Sequence, residues 1–310
     1  MPTLKAHLFG KFRILHNEQV WHTQETCKVR ELLCYLLFYR SMQHRREQLA
    51  GLLWGESSAA QSKKYLRQTL WQVQAACNLH LGLSSERLVL ANAGRVYINP
   101  EIDLQTDVAE FQQAYTCLQA GVELAPESAR RVNEAVELYQ GDLLEGWHSD
   151  WCIYEREHLQ NKYLMMLDKL VLHYESQREY EAGLNYAARI LQCDPARERA
   201  HQQMMRLHYL AGDRTAALRQ FDNCAETLRK ELDVRPSKGT LLLYEQIRAD
   251  QFEQITSSPI MLTEPETPPS LPAVLTKLKQ LHEALTGLQR QLQQEIQMVE
   301  RYLPALRDQR

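Results

Sequence analysis

The sequence predicts a mainly α-helical chain that begins with a small β-sheet. Short alternating segments, three helical segments and a hairpin follow one another in the first hundred residues. Helical periodicity then continues to about residue 255, and a leucine heptad pattern follows a proline-rich stretch. We therefore predict a winged helix-turn-helix domain (1–107), a helical repeat domain (108–255), a linker (256–272) and a coiled-coil helix (273–303).

The N-terminal segments occur in the order sheet, three helices, hairpin. Leu4–Ile14 alternates loosely as in a sheet, helices are predicted at Lys28–Tyr39 and Arg45–Leu53, and a third helix is capped by Ser57 or Ser58. Two strands around Asn92 and Gly94 follow, because both residues tolerate the positive φ of a tight turn. A hairpin directly after the third helix indicates a winged helix rather than a plain three-helix bundle.

Two helical segments of the second domain repeat with an offset of 34 residues, the tetratricopeptide period. The offset aligns Gly183 with Ala217, Ala187 with Phe221 and Ile190 with Cys224. The small residues at 183 and 217 predict close approach of paired helices.

The C-terminal segment combines a proline-rich stretch with a heptad pattern. Five prolines between 256 and 272 exclude a regular element there and indicate a semi-rigid linker. The following heptads predict a self-associating coiled coil, with packing of the helix back on the repeats as the alternative. The predicted oligomerisation residues are Leu278, Leu281, Leu285, Leu288 and Leu292.

Basic charge is concentrated at the start of the chain. Residues 1–107 hold 13 Lys and Arg against 9 Asp and Glu, whereas 108–255 hold 17 against 24. The region 61–83 contains no acidic residue, as expected of a helix that faces phosphate. These features predict a nucleic-acid partner for the first domain.

The third helix carries most of the candidate DNA-binding residues. Helical geometry places a buried stripe at Leu66, Leu70, Val73 and Cys77, with the polar candidates opposite it or on its flank. Arginines at the start of the second helix and at the hairpin tip are candidates for phosphate contact. A solvated polar face is the alternative, and the aromatic candidate could instead pack on the wing or on another protein. The full set is Arg45, Arg46, Gln61, Lys63, Lys64, Arg67, Gln68, Trp71 and Arg95.

Several function classes find no support in the sequence. Seven scattered cysteines without a C-x-x-C pair indicate buried small residues rather than disulfides or zinc ligands. No phosphate-binding loop, H-E-x-x-H or G-x-S-x-G motif occurs, so we expect no metal, no cofactor and no enzyme activity. Without a signal segment or an apolar stretch of about 20 residues, a cytoplasmic protein without a membrane partner is expected.

The combined order of short segments resembles a family of bacterial regulators. The segments Leu52–Gly55, Val108–Phe111, Tyr139–Leu144 and Glu231–Pro236 stand in the order found in SARP-type transcriptional regulators, which join an OmpR-like winged helix to a bacterial transcriptional activator domain. The resemblance covers about residues 4–250. It implies binding of double-stranded DNA as side-by-side protomers, insertion of the third helix into the major groove, and contact of residues 54–58 with RNA polymerase.

Three hypotheses follow for the function. The first is a sequence-specific DNA-binding transcriptional regulator, more readily an activator, that forms homo-oligomers. The second is a protein-interaction scaffold, favoured by the acidic repeat domain. The third is a regulator whose repeat groove binds a small effector that the sequence does not identify.

Overall fold

The computed structural model describes residues 4–16, 19–21, 26–81, 87–118 and 125–251, which all lie in one compact unit, Met1–Gln251. The predicted linker (256–272) and coiled-coil helix (273–303), with its oligomerisation leucines, lie outside the described residues and stay predictions.

A four-stranded sheet opens the fold. Strands β1 (Leu4–His7), β2 (Arg13–His16) and β3 (Gln19–Trp21) are antiparallel. A strand that the sequence did not predict, β7 (Leu104–Thr106), pairs in parallel with β1 and gives the order β3-β2-β1-β7. The end of the first domain is thereby tied to its beginning.

Three helices and a second small sheet follow the predicted order. The helices are α1 (Cys27–Phe38), α2 (Arg46–Trp54) and α3 (Ala59–Leu81). The sheet has the order β4-β6-β5 and consists of β4 (His44–Arg45), β5 (Val89–Asn92) and β6 (Arg95–Ile98). This arrangement confirms the predicted winged helix-turn-helix.

The turn of the wing differs in detail from the prediction. Ala93 and Gly94 have φ values of 48° and 77°, so both central residues are left-handed, as a type I′ hairpin turn requires. Asn92, which we expected to supply a positive φ, is the last residue of β5 and pairs with Arg95. A non-glycine residue with a left-handed backbone therefore occupies the wing tip.

Seven further helices form the second half of the described chain. They are α4 (Asp107–Leu118), α5 (Pro126–Leu138), α6 (Asp150–Ser176), α7 (Tyr180–Cys193), α8 (Glu198–Leu210), α9 (Arg214–Leu232) and α10 (Lys238–Arg248).

The residues predicted from the 34-residue offset lie on α7, which packs against α6 and α8, and on α9, which packs against α8 and α10. Gly183, Ala187, Ile190, Ala217 and Cys224 are buried, whereas Phe221, the sixth residue of the alignment, is half-buried. A Cβ added at Gly183 would lie 3.1 Å from a methyl group of Leu207, which shows how closely α7 approaches α8.

A buried carboxylate joins the first strand to the helical half. Asp107, at the start of α4, accepts hydrogen bonds from the backbone N–H groups of Leu8, Phe9 and Val108 at 2.8 to 3.0 Å. The chain after β1 also pairs with residues 142–145: Gly10 N donates to Asp142 O and Leu144 N donates to Leu8 O, both at 2.8 Å. Backbone hydrogen bonds therefore connect the two halves.

Side chains strengthen this connection on two sides. The Arg156 guanidinium donates to the carbonyl groups of Leu143, Leu144 and Trp147 at 2.9 to 3.2 Å and fixes the segment before α6. Trp151 of α6 packs edge-on against Tyr35 of α1, with ring centroids 5.2 Å apart. The helical half thus contacts the helix that supports the winged-helix core.

The cysteines follow the sequence prediction in part. Cys34, Cys77, Cys152 and Cys224 are buried, whereas Cys27 is exposed at the first residue of α1. Among the described residues, no three His, Cys, Asp or Glu side chains could together hold a metal ion. None of the described helices is both long and apolar enough to cross a membrane.

Candidate nucleic-acid interface

The outward face of α3 presents the predicted polar residues together. Gln61, Lys64, Arg67 and Gln68 are all exposed, and Trp71 has 71% of its surface exposed. Helical geometry places them opposite the buried residues Leu66 and Val73, except for Arg67, which lies on the flank. Lys64 and Arg67 form no ion pair with a described residue, so both charges are available to a ligand.

The opposite face of α3 fixes the helix against α2. The Ser62 hydroxyl donates to the Trp54 carbonyl at 2.9 Å, and Ser62, Leu66 and Thr69 are buried. Ser58 caps the helix, because its hydroxyl accepts the N–H of Gln61 at 3.4 Å. This confirms one of the two predicted caps and gives the outward side chains a rigid support.

Lys63 differs from the other candidates because it has an acidic partner. Its ammonium lies 3.2 Å from a carboxylate oxygen of Glu47 on α2. The pKa of Glu47 is lowered by its own backbone N–H and by the Lys63 ammonium. Lys63 therefore faces α2, and a DNA phosphate would have to compete with Glu47 for its charge.

The wing brings two predicted arginines directly opposite each other. Arg45 lies in β4, and its cross-strand partner is Arg95 of β6. Like charges at opposite positions of an antiparallel pair destabilise a sheet unless an anion lies between them. The Arg95 guanidinium donates to the Gln43 side-chain oxygen at 3.4 Å, which is the distance of a weak hydrogen bond.

Two details of this region correct the sequence prediction. Arg45 was expected in the second helix but lies in a two-residue strand, and α2 begins at Arg46. Arg46 is half-buried, with its Nε atom buried and without an acceptor among the described residues. Its backbone N–H donates to the Gly94 carbonyl at 3.0 Å, so Arg46 holds the wing turn through its backbone.

A histidine links the wing to the contact between the two halves. His44 is buried, pairs with Val96 of β6 and lies with its ring 5.0 Å from Tyr35. Burial lowers the pKa of His44. The neighbouring Tyr39 hydroxyl donates to Glu155 of α6 at 2.5 Å. Burial is the main cause that raises the pKa of Tyr39, and this hydrogen bond raises it further.

Sequence reasoning missed Glu47, His44 and Gln43 as parts of this surface. A two-residue strand is too short to show alternation, so nothing in the pattern placed Gln43 beside Arg95. An ion pair between separate helices depends on their packing, and helical periodicity carries no such information.

Comparison with known proteins adds family and fold information. Residues 106–248 match the family described as "Bacterial transcriptional activator domain". No curated protein matches the chain significantly. A solved structure of Mycobacterium tuberculosis EmbR, in complex with a low-affinity phosphopeptide, superposes with a TM-score of 0.58 at 17% identity.

The match to EmbR covers 81% of this chain and 66% of that chain. This chain therefore spans just under two thirds of the EmbR chain, and at this identity the likeness concerns the fold. Together with the family match, it supports the arrangement of a winged helix followed by a helical domain. Residues 106–248 thus match the bacterial transcriptional activator domain family, and the fold of the chain is similar to that of EmbR.

Proposed function

We propose that this chain is a sequence-specific DNA-binding transcriptional regulator whose α3 enters the major groove. The observation that carries the proposal is the exposed face of α3, where Lys64, Arg67 and Gln68 project together and have no acidic partner in the described part of the chain. Lysine and arginine side chains bind phosphates or guanine edges, and glutamine pairs with adenine.

The wing supplies the second contact in this proposal. Arg45 and Arg95 lie at opposite positions of one strand pair, where a backbone phosphate would relieve their repulsion. Lys63 contributes less, since Glu47 already neutralises it. The proposed DNA contacts are thus unequal, with α3 reading bases and the wing holding the backbone.

Fluorescence anisotropy with the gene's own upstream DNA tests the proposal. We expect the logarithm of the binding constant to fall linearly with the logarithm of salt concentration. Lys64→Ala and Arg67→Ala should each weaken specific binding by about 1–3 kcal/mol if the side chains contact bases. Arg95→Ala should weaken specific and nonspecific DNA alike and reduce the salt slope by about one.

The control replaces an arginine of the helical half. Arg199 is exposed on α8 and forms no ion pair with a described residue, so Arg199→Ala should bind DNA as the parent chain does. Binding that is absent, independent of salt, or equally weakened by Arg199→Ala would contradict the proposal.

Activation through RNA polymerase is a further part of the proposal. The turn between α2 and α3 exposes Gly55 and Glu56, and Leu52 at the end of α2 is 42% exposed. We expect Glu56→Ala to reduce transcription in vitro while DNA affinity stays unchanged. Equal transcription by the variant would exclude this turn as the polymerase contact, and reduced transcription by the parent chain would indicate a repressor.

Oligomerisation belongs to the same proposal, since side-by-side protomers would occupy repeated sites. The heptads of residues 273–303 motivate it. Light scattering of the full chain should give a mass above that of a monomer, and Leu281→Ala with Leu285→Ala should reduce it. An unchanged mass would favour packing of this helix on the repeats.

A protein-interaction scaffold is the second candidate. One face of α6 exposes large apolar side chains, with Tyr154 at 69%, Met165 at 51% and Leu172 at 42%. Surfaces of this kind favour protein partners. Capture of a stoichiometric protein partner by a chain that binds no DNA would favour the scaffold, and loss of that partner in Tyr154→Ala would locate it.

A further inference from the structure

Trp71 on α3 has 71% of its surface exposed, and the proposed function gives it no role so far. The other tryptophans whose burial the structure describes are more enclosed, since Trp54 and Trp147 are half-buried and Trp151 is 8% exposed. Tryptophan is enriched among the residues that contribute most to binding interfaces, because its large rigid ring buries much area. Trp71 is therefore a candidate for contact with a partner and not a part of the core.

Helical geometry places Trp71 in the middle of the candidate interface. Around the axis of α3 it lies about 20° from Lys64 and about 40° from Arg67, between these two basic residues. The indole does not stack on another ring in the described part of the chain, so packing on the wing does not account for its position. A partner that approaches Lys64 and Arg67 would therefore meet the indole ring between them.

The base edges in the major groove differ in what they offer to an indole ring. Thymine presents a C5-methyl group beside the O4 acceptor, whereas cytosine presents an amino donor and no methyl group. The indole ring is apolar, and its N–H group donates but does not accept. Insertion of apolar side chains between base pairs is a feature of minor-groove proteins. For a helix in the major groove, thymine is thus the base that matches the Trp71 side chain.

The position of Trp71 along α3 predicts its distance from a neighbouring base contact. Trp71 lies three residues, or about 4.5 Å, beyond Gln68 along the helix axis. Successive base pairs are about 3.4 Å apart, so the two side chains should reach positions about one or two base pairs from each other. Glutamine pairs with adenine. The expected DNA site therefore contains a thymine close to an adenine.

We propose that Trp71 selects thymine at one position of the DNA site by packing its indole ring on the C5-methyl group. This inference rests on the proposed function, because it requires α3 to lie in the major groove. It adds a base preference to that function. Thymine is favoured within about two base pairs of the adenine that Gln68 contacts.

Fluorescence anisotropy with the gene's own upstream DNA tests this contact when each thymine is replaced in turn by uracil, which lacks only the C5-methyl group. Loss of one buried methyl-sized group should weaken binding of the parent chain about fourfold at the contacted thymine. Trp71→Ala should bind the thymine and uracil forms equally, because the partner of the methyl group is gone. Trp71→Phe retains a ring and should keep part of the difference.

Two further measurements separate this contact from a contact with phosphate. An apolar contact releases no counterions, so Trp71→Ala should weaken binding without changing the salt slope, unlike Arg95→Ala. The register is tested with 7-deazaadenine, which lacks the N7 acceptor. The adenine at which this change weakens the parent chain but not Gln68→Ala should lie within about two base pairs of the contacted thymine.

Leu79 provides the matched control on the same helix. It is 78% exposed and lies eight residues, or about 12 Å, beyond Trp71. Leu79→Ala also removes an exposed apolar side chain, but it should bind DNA as the parent chain does and keep the preference for thymine over uracil. Both tryptophan variants should melt at the temperature of the parent chain, because Trp71 lies outside the core.

Several outcomes would overturn the proposal. Uracil that leaves binding of the parent chain unchanged at every thymine is one, and a Trp71→Ala variant that still prefers thymine is another. A Trp71→Ala variant that binds DNA normally but loses a protein partner would assign the residue to a protein contact. If the parent chain binds no DNA, the proposed function fails together with this inference. If it binds DNA without sensing the methyl group, the inference fails alone.

Discussion

Replacing Asp107 with alanine should destabilise the fold through its backbone. The carboxylate accepts the N–H groups of Leu8, Phe9 and Val108, and Leu8 and Phe9 are 0% and 2% exposed. In Asp107→Ala, three buried N–H donors would lose their acceptor. An unsatisfied buried donor costs at least about 1 kcal/mol, so the free energy of unfolding should fall by about 3 kcal/mol. For a unit of this size, that corresponds to a fall in melting temperature of roughly 6–12 °C.

Calorimetry and urea unfolding of the full chain measure this loss. Asp107→Asn should lie between the parent chain and Asp107→Ala, because the amide keeps one oxygen as an acceptor but turns an NH₂ group towards backbone donors. Asp222 is exposed on α9, so Asp222→Ala should change stability by less than about 0.5 kcal/mol. If Asp107→Ala destabilised the chain no more than Asp222→Ala, the carboxylate would not be the link between the halves that its contacts indicate.

Three further predictions concern the wing and its supports. Ala93→Gly should stabilise the chain by about 0.5–1 kcal/mol in urea unfolding, because glycine removes the penalty of a left-handed backbone. Burial lowers the pKa of His44 below its ordinary value of 6.5, so the unfolded chain binds more protons than the folded chain. The free energy of unfolding should therefore fall as the pH drops below about 6.5. His44→Phe should reduce this pH dependence in thermal melts. If DNA binds the exposed face of α3, Glu47→Gln should tighten binding severalfold at low salt in the anisotropy assay, because it frees Lys63 and removes a carboxylate beside that face.

Each of these predictions has a control. Ala91→Gly, in the extended part of the same hairpin, should destabilise rather than stabilise, and equal effects at 91 and 93 would exclude backbone strain as the cause. Burial also lowers the pKa of His208, so His44→Phe should retain part of the loss of stability at low pH. If His44→Phe retained all of it, the loss would come from groups other than His44. If Glu47→Gln also tightened DNA binding in a Lys63→Ala background, the cause would be removal of the Glu47 carboxylate and not release of Lys63.

Long periodic elements were predictable from the sequence, and short or tertiary ones were not. The stripe of Leu66 and Val73 identified the buried face of α3, and the residues opposite it are exposed. Strands β4 and β7 have two and three residues, too few for alternation to show, so the position of Arg45 was wrong. Propensity favoured Asn92 for the turn, but the strand register assigned the left-handed position to Ala93.

The sequence predicted which residues lie on the candidate interface, but not which of its basic side chains form an ion pair. Helical geometry placed Lys64 on the outward face of α3 and Lys63 and Arg67 on its flank, because it describes a single helix. Packing of α2 on α3 brings Glu47 to Lys63, whereas Lys64 and Arg67 form no ion pair with a described residue.

The backbone pairing that follows β1 limits how far the two halves can act as separate modules. Leu8 and Gly10 share hydrogen bonds with residues 142–145, and Phe9 packs against Tyr139 with ring centroids 4.8 Å apart. A chain cut after residue 107 would expose this aromatic contact to water and leave those backbone groups unpaired. A fragment that ends at residue 107 would therefore lack the segment that pairs with its own first ten residues, and its stability should be measured against that of the full chain.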